Sequence, residues 1–594
     1  MAKEKSNIRR LEIGFFDGVN TLVADNIGKK QELKHCENAR SKTIGSIEKR
    51  AGTVRLGDVK SWQANYGIFY FNNSSSNKGM YRVSKLSDTV AIHQLDTSSE
   101  WQALTDKGTG LTAAQTDTVI AESCCFITNG TDNNRYINSA GEVVVDSDTT
   151  TGHLYNSPKA YKINYFKDKM YLGDYTVGST RYKNGIMMSS VPVGLISLVD
   201  GDHDAAVTTL SVTDTKYIRS TDSLDVYRGG TKIETLTISA KTENDITVAA
   251  TTNPLNSSDE LWVADTYTGA KVFRWADNPA SGTTVKQYDT FKLAGGDNDR
   301  LKIFTNIGDV MIMANNNNIS TWNNSYLKPY DLGIGCVSDT GWVKALGTLW
   351  FVHYTGIYAT TGESPKLMSA KVQKYIEGAT KSGLEDAAAG RRGLSVFFAI
   401  GNVSLYKDDG SEDKTLSDVC LEYNMRQENW FIHTGIKASQ FATYLESSDP
   451  DLLEYTSTNT KFPIFELFNG ATDDNTVDET EIPFRIDTGK ITLSKQFEKI
   501  CYPTEIIIET ERGSNIKTFI SLDNGKYYEL NGDAIKGCTI LKVHNTDNDK
   551  NTPPRCRNLK LSFRDYSKSL CKIARVAIIY TETSEEEESR PDKE

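Results

Sequence analysis

No apolar run in this 594-residue chain approaches the roughly 18 residues that a helical membrane span requires. The start, MAKEKSNIRRLEIGFF, carries basic residues but no apolar h-region behind them, so a secretory signal is not expected. The nine cysteines form no CxxC pair and no zinc-site spacing, and their number is odd. They read as free thiols of a protein made in a reducing cytoplasm. The adjacent Cys124 and Cys125 precede Phe126 in an apolar run and read as small buried hydrophobes.

Catalytic signatures are equally scarce. The chain contains no GxxxxGK[ST], GxSxG, HExxH or GxGxxG. Its seven histidines are scattered, and none stands four positions from another. His353 and His433 lie inside apolar strand runs, where a hydrogen-bonded structural role is the expectation. No catalytic residue, metal site or cofactor is assigned on this basis, and the chain is not read as an enzyme.

Tyr (28), Phe (21) and abundant Thr outweigh the good helix formers, which favours strands. The segments LKIFTNIGDVMIMANNNNISTW and VKALGTLWFVHYTGIYATTGESPKLMS each pair apolar runs around small or polar turns, as antiparallel hairpins do. Strand pairs begin near Phe304, Leu349, Phe397 and Phe441, at a period of about 45 residues, the size of one propeller blade. Earlier units at 66–85, 123–145 and 163–175 bring the expected number to six or seven blades.

The period fails between Tyr175 and Phe304, where short Thr/Val/Ile strands alternate with polar turns. Residues 198–266 are read as a small β-domain inserted into a blade loop. SAKVQKYIEG (369–378) and SGLEDAAAG predict two short connecting helices. From about Lys499 longer alternating strands predict an antiparallel sandwich to 581, followed by an acidic, disordered tail over 582–594. The expected fold is therefore all-β: a degenerate β-propeller (61–197 and 267–498), the insertion, and the sandwich.

Two motifs point towards ions or sugars. Asp200, Asp202 and Asp204 alternate as at the start of a calcium loop, but Ala205 and Ser211 stand where such a loop has Gly and Glu, so an acidic turn is expected. SLDNGKYY (521–528) has the form of an Asp-box, in which Asp523 caps turn N–H groups and Gly525 takes a positive φ.

The net charge is −11. Residues 1–60 hold thirteen bases against eight acids, whereas 581–594 hold seven acids against two bases. A basic front on an acidic body suggests a docking segment and argues against a nucleic-acid-binding face.

That front segment also carries a resemblance. Gly18-Val19-Asn20-Thr21, the turn Asn38-Ala39-Arg40, and then Gly45, Ile47, Lys49, Arg50 and Gly52 resemble the opening of tail hub or nozzle proteins of short-tailed bacteriophages. NNISTW (317–322), 335–369 and CLEYNMRQENW (420–430) are similar to blade segments of the same family. The resemblance implies a homo-oligomer, a hexameric ring in the virion tail that is assembled in the host cytoplasm. Such a ring sits below the portal and adaptor proteins, carries fibres or a tip protein, and lets DNA pass transiently. Asn38, Arg40, Lys42, Lys49, Arg50 and Arg55 are the candidate partner-docking residues. An ordinary first blade with solvated charges is the competing reading of that segment. For the whole chain, a glycan-acting enzyme and a receptor-binding tail protein are the alternatives.

Overall fold

A sheet whose two faces are both covered buries its middle strands on both sides, so those strands become continuous apolar runs without alternation. Thr348–His353 (TLWFVH) and Gly356–Thr360 (GIYAT) are nearly all buried, while the outer strand Lys366–Leu367 is exposed. The computed structural model describes residues 8–14, 18–21, 32–41, 45–58, 60–72, 79–104, 106–145, 154–155, 157–190, 194–219, 222–242, 244–264, 272–275, 290–293, 299–330, 333–406, 412–444, 452–457, 463–473, 480–493, 499–512, 515–544 and 553–584.

Among the described residues there are seven four-stranded antiparallel sheets. Sheet 1 spans 62–103, sheet 2 117–145, sheet 3 159–188 with 290–292, and sheet 4 303–330. Sheet 5 spans 342–367, sheet 6 388–433, and sheet 7 438–467 with 53–56. The fold class is the expected one: all-β and β-propeller-like, with an inserted β-domain and a sandwich.

The chain divides into two units. Gly57–Val337 with Thr361–Ser364 holds sheets 1 to 4, and the remainder holds sheets 5 to 7 and the sandwich. Within the first unit, Phe69, Tyr81 and Ile92 of sheet 1 pack on Cys125, Ile127 and Ile137 of sheet 2. Phe126 and Tyr136 of sheet 2 meet Ile163 and Leu172 of sheet 3, and Tyr171 and Ile186 meet Phe304 and Met311 of sheet 4. In the second unit, Trp350 of sheet 5 lies 5.0 Å from Tyr423 of sheet 6, and Phe397 of sheet 6 packs with Phe465 of sheet 7.

Three hairpins turn on two residues that are both at positive φ and are not glycine: Ser87-Asp88, Glu122-Ser123 and Lys167-Asp168. This geometry matches the right-handed twist of the flanking strands, and it lacks the Asn-Gly or Asp-Gly signal that would reveal it in a sequence.

The insertion is a closed sheet. Six strands pair in the order Leu195–Leu198, Glu260–Val263, Ser223–Arg228, Thr231–Lys241, Asp245–Val248 and Thr209–Ser211, and the two edge strands meet through the Val199–Val212 bridge. Asp200 N–H donates to Ser211 O at 2.8 Å and Thr213 N–H to Leu198 O at 2.9 Å, which removes the exposed edges. Val199, Leu210, Val226, Leu236 and Leu261 fill its own core. The flanking chain is held together by the Ser189–Trp275 bridge, and the buried Arg274 forks onto Asp222 at 2.7 and 3.0 Å.

The sandwich draws on more of the chain than its expected 499–581 limits. One sheet orders Ala39–Arg40, Ile47–Lys49, Lys572–Ser584, Lys499–Arg512 and Gly537–Lys542, with Ile8–Ile13 also on Lys572–Ser584. The other orders Leu33–Glu37, Phe484–Thr488, Asn558–Asp565, Lys517–Leu522 and Tyr528–Glu529. Among the described residues, 1–60 supply no strand of sheet 1. Thr53–Leu56 becomes the fourth strand of sheet 7, because Ile464–Leu467 offers it a free edge. The expected disordered tail over 582–594 is corrected at its start: Glu582 to Ser584 pair with Lys499 to Cys501, and Arg9 offsets Glu582 at 2.9 Å. Residues 585–594 lie outside the described residues. The first connecting helix is present as a 3-10 turn running into Gln373–Glu377; the second covers only Lys381–Glu385, with the Thr380 side chain accepting from Gly383 N–H, because Ala388–Gly390 at the end of the expected segment opens strand Ala388–Arg392 of sheet 6.

Candidate functional site

A dense, buried polar constellation among the described residues is built around the N-terminal segment, within the unit that holds the sandwich. Strand Leu33–Glu37 runs along Phe484–Thr488, and the chain then reverses at Asn38, whose φ is +55°. A residue with a short polar side chain tolerates that left-handed conformation better than most. Asn38 is fully buried, and its amide is fully used. Oδ1 accepts from Arg50 Nε at 2.8 Å and Thr434 N–H at 2.9 Å. Nδ2 donates to Thr434 Oγ1 and Pro483 O, both at 2.8 Å.

Arg50, also fully buried, forks onto Asp473 and donates to Thr434 O at 3.0 Å. Arg40 donates to Glu422 at 2.7 Å and lies 4.0 Å over the Phe468 ring. Glu422 is 1% exposed and also accepts from Ser395 Oγ at 2.7 Å and His433 Nε2 at 2.8 Å. Burial alone would raise the Glu422 carboxyl, but Arg40, His433 and Ser395 outweigh it and hold it at about 2. Burial keeps His433 below its ordinary value despite the carboxylate. Among the described residues His433 Nδ1 has no hydrogen-bond partner. Glu37 takes Lys414 at 2.8 Å, His35 at 3.4 Å and the Thr434 hydroxyl at 3.2 Å; against burial, His35 and Lys414 hold it at about 2.

Lys49 is 2% exposed and donates to Asp565 at 3.1 Å and Ser567 O at 2.5 Å. Arg55, on the closing strand of sheet 7, sets its guanidinium 5.8 Å from the Phe465 ring centre. Lys42 lies outside the described residues. Of the six candidate docking residues the structure therefore brings Asn38, Arg40 and Arg50 into one network, with Lys49 in a neighbouring contact. The expectation of a surface for partners is corrected for these four: their charges and amides are bonded inside the chain. The acids that neutralise them, Glu422, Asp473 and Asp565, lie hundreds of positions later, so the front segment looks like free positive charge in the sequence. Glu422 had one legible signal, a lone acid inside the apolar run VCLEYN.

The remaining motif residues join the same construction. Val19 N–H donates to Trp430 O at 3.0 Å, Asn20 Nδ2 to Glu32 at 2.8 Å, and Thr21 N–H and Oγ1 to Lys371 O at 2.7 and 2.9 Å. A Cβ at Gly18 (φ +58°) would stand 2.7 Å from Trp430 O, and one at Gly52 would overlap the Thr472 carbonyl. Ile47 is fully buried. Chemically, the network holds charge in place; its acid–base pair, Glu422 and His433, is sealed from solvent and so cannot meet a substrate.

The other candidates resolve as structure. Asp523 accepts from Arg557 N–H at 3.0 Å and Asn558 N–H at 2.9 Å, and Ser521 Oγ donates to Gly525 O at 2.6 Å. Positive φ falls on Asp523 and Asn524, not on Gly525 as expected. Asp202 accepts from Ser257 N–H at 2.8 Å. Among the described residues no three His, Cys, Asp or Glu side chains are grouped to hold a metal. His353 bonds Thr355 Oγ1 at 2.8 Å. No helix of the described residues is long and apolar enough to cross a membrane.

No family model matches the chain, and no curated protein matches it significantly. Among solved structures, the computationally designed Ika8 protein is 7% identical, covering 77% of this chain and 98% of its own at a TM-score of 0.30. An exo-β-1,3-galactanase from Phanerochaete chrysosporium is 8% identical, with 81% and 97% covered and a TM-score of 0.18. A prolyl endopeptidase is 7% identical, with 68% and 53% covered and a TM-score of 0.21. At these scores the likenesses carry no argument about function.

Proposed function

We propose that this chain is a structural component of a phage virion, a tail hub or nozzle. In this reading six copies form a ring in the virion tail, below the portal and adaptor. The ring extends the channel through which DNA passes transiently, and it carries fibres or a tip protein. One observation supports it most. The residues that carry the resemblance, from Gly18 to Gly52, are the ones that bond the front of the chain into sheet 6, sheet 7 and the sandwich. A chain end fastened by buried ion pairs suits a part that works by holding its shape. The chain is proposed to act through contacts and rigidity, without chemistry of its own.

Electron microscopy and native mass spectrometry of the purified protein, alone and with its portal and adaptor proteins, test the reading. A hollow six-membered ring, formed alone or on that assembly, is the expected result. A monomer that stays monomeric with those partners and releases sugars from cell-surface polysaccharide would overturn it.

A further inference from the structure

We propose that Cys501 and Cys556 are an oxidation site, a thiol pair placed to form a disulfide that bonds the two sheets of the sandwich to each other. The two residues form an isolated antiparallel bridge, each N–H donating to the other's carbonyl at 2.9 Å. Residues exchanging both bonds stand directly opposed, with Cα atoms about 5.5 Å apart and side chains on one face. That Cα separation lies inside the range that disulfides occupy, roughly 4.4–6.8 Å, whereas the Cβ atoms of a hydrogen-bonded pair stand about 5.5 Å apart against roughly 3.5–4.5 Å in a disulfide, so closing the bond draws the two strands locally together. Both side chains are buried. Cys501 belongs to strand Lys499–Arg512 of one sheet, and Cys556 lies just before strand Asn558–Asp565 of the other. Among the described residues no other two cysteines oppose each other in a β pairing.

The chemistry balances with an external disulfide as oxidant. One thiolate attacks a sulfur of that disulfide and releases one thiol, leaving a mixed disulfide on the protein. The second thiolate attacks the mixed disulfide, closes the Cys501–Cys556 bond and releases the second thiol. Two protein thiols are oxidised and one external disulfide is reduced. Burial pushes the Cys556 thiol up, so exchange waits on opening of the chain around 553–557 and is slow. The pair stays reduced in a reducing cytoplasm and closes once the protein reaches an oxidising medium. The inference is independent of the virion reading.

The test incubates the full-length protein, carrying Cys538→Ser to remove the exposed thiol, with oxidised glutathione in mild urea. After acid quench, denaturation and alkylation, unreduced peptides are mapped by mass. The expected result is one linked species joining the Cys501 and Cys556 peptides, lighter by two hydrogens, absent after reduction and absent in Cys501→Ser. Full alkylation of both cysteines, or linkage of a different pair, overturns the proposal; the map of the protein without Cys501→Ser decides this by itself.

Discussion

Arg50 grips Asp473 with both terminal nitrogens, at 2.8 and 2.5 Å, across 423 positions of sequence. Arg50 has no exposed surface, whereas the Asp473 side chain keeps 18%. Replacing Asp473 with alanine leaves a buried guanidinium with its charge uncompensated. The expected cost is about 3 kcal/mol, read as a fall in the urea midpoint. Arg50→Lys, which keeps the charge but loses the fork, should not restore the native midpoint. An unchanged midpoint in Asp473→Ala would show that the pair is not a clamp.

Two glycine substitutions separate crowding from backbone strain. Gly178 sits at φ +60° with nothing within 4 Å of a built Cβ, so Gly178→Ala should cost only about 1 kcal/mol. Gly52 has no positive φ, but its Cβ would occupy the Thr472 carbonyl, so the backbone at Thr472 or at the approach to strand Thr53–Leu56 must move. Gly52→Ala is expected to cost about 3 kcal/mol or more, or to abolish soluble expression. Comparable midpoints for the two variants would contradict the packing described here.

Stability should fall in two stages on acidification. Burial lowers His433, and burial together with Arg82 lowers His93 to about 4, from an ordinary 6.5. Below pH 6.5 the unfolded chain therefore binds protons that the folded sites refuse, and stability declines. Glu37 and Glu422 lie at about 2 against an ordinary 4.5, so their contribution is complete above pH 4.5 and is lost between there and about pH 2. Urea titrations from pH 8 to pH 3 check this, and His433→Asn should flatten the first stage. A midpoint rising on acidification from pH 7 to pH 5 would refute it.

Excising 194–264 behind a short Gly/Ser linker should leave a folded protein, since the Ser189–Trp275 bridge already joins the ends. The excision removes Asp222 and strands the buried Arg274, so Arg274→Met must accompany it. The excised segment, with its own closed sheet and core, should fold alone, as circular dichroism and a cooperative melt would report. Failure of the excised segment to melt cooperatively would show that its core depends on the rest of the chain.

How much of this was legible depended on range. The continuous run TLWFVH and the turn chemistry after it mark a buried strand and a hairpin within one window, because a strand's exposure is written in its own residues. The helix at Lys381–Glu385 was legible only in part: the propensity of SGLEDAAAG marks its start, but pairing with Ser395–Tyr406 turns Ala388–Gly390 into strand. The turns at Glu122-Ser123 and Lys167-Asp168 were not, since their neighbours impose a conformation that the two residues do not favour by themselves.

By itself the sequence determined that the chain is built of strands in a repeating unit, with a foreign β-segment set into one blade and longer strands at the end. Those properties follow from local propensity and from where apolar runs stop and start. The tertiary structure decided where the basic front belongs. Lys49, Arg50 and Arg40 meet Asp565, Asp473 and Glu422 only once the sheets have stacked. Charge pairing acts through space over a few ångströms, and no local pattern reports which distant carboxylate the fold will bring that close.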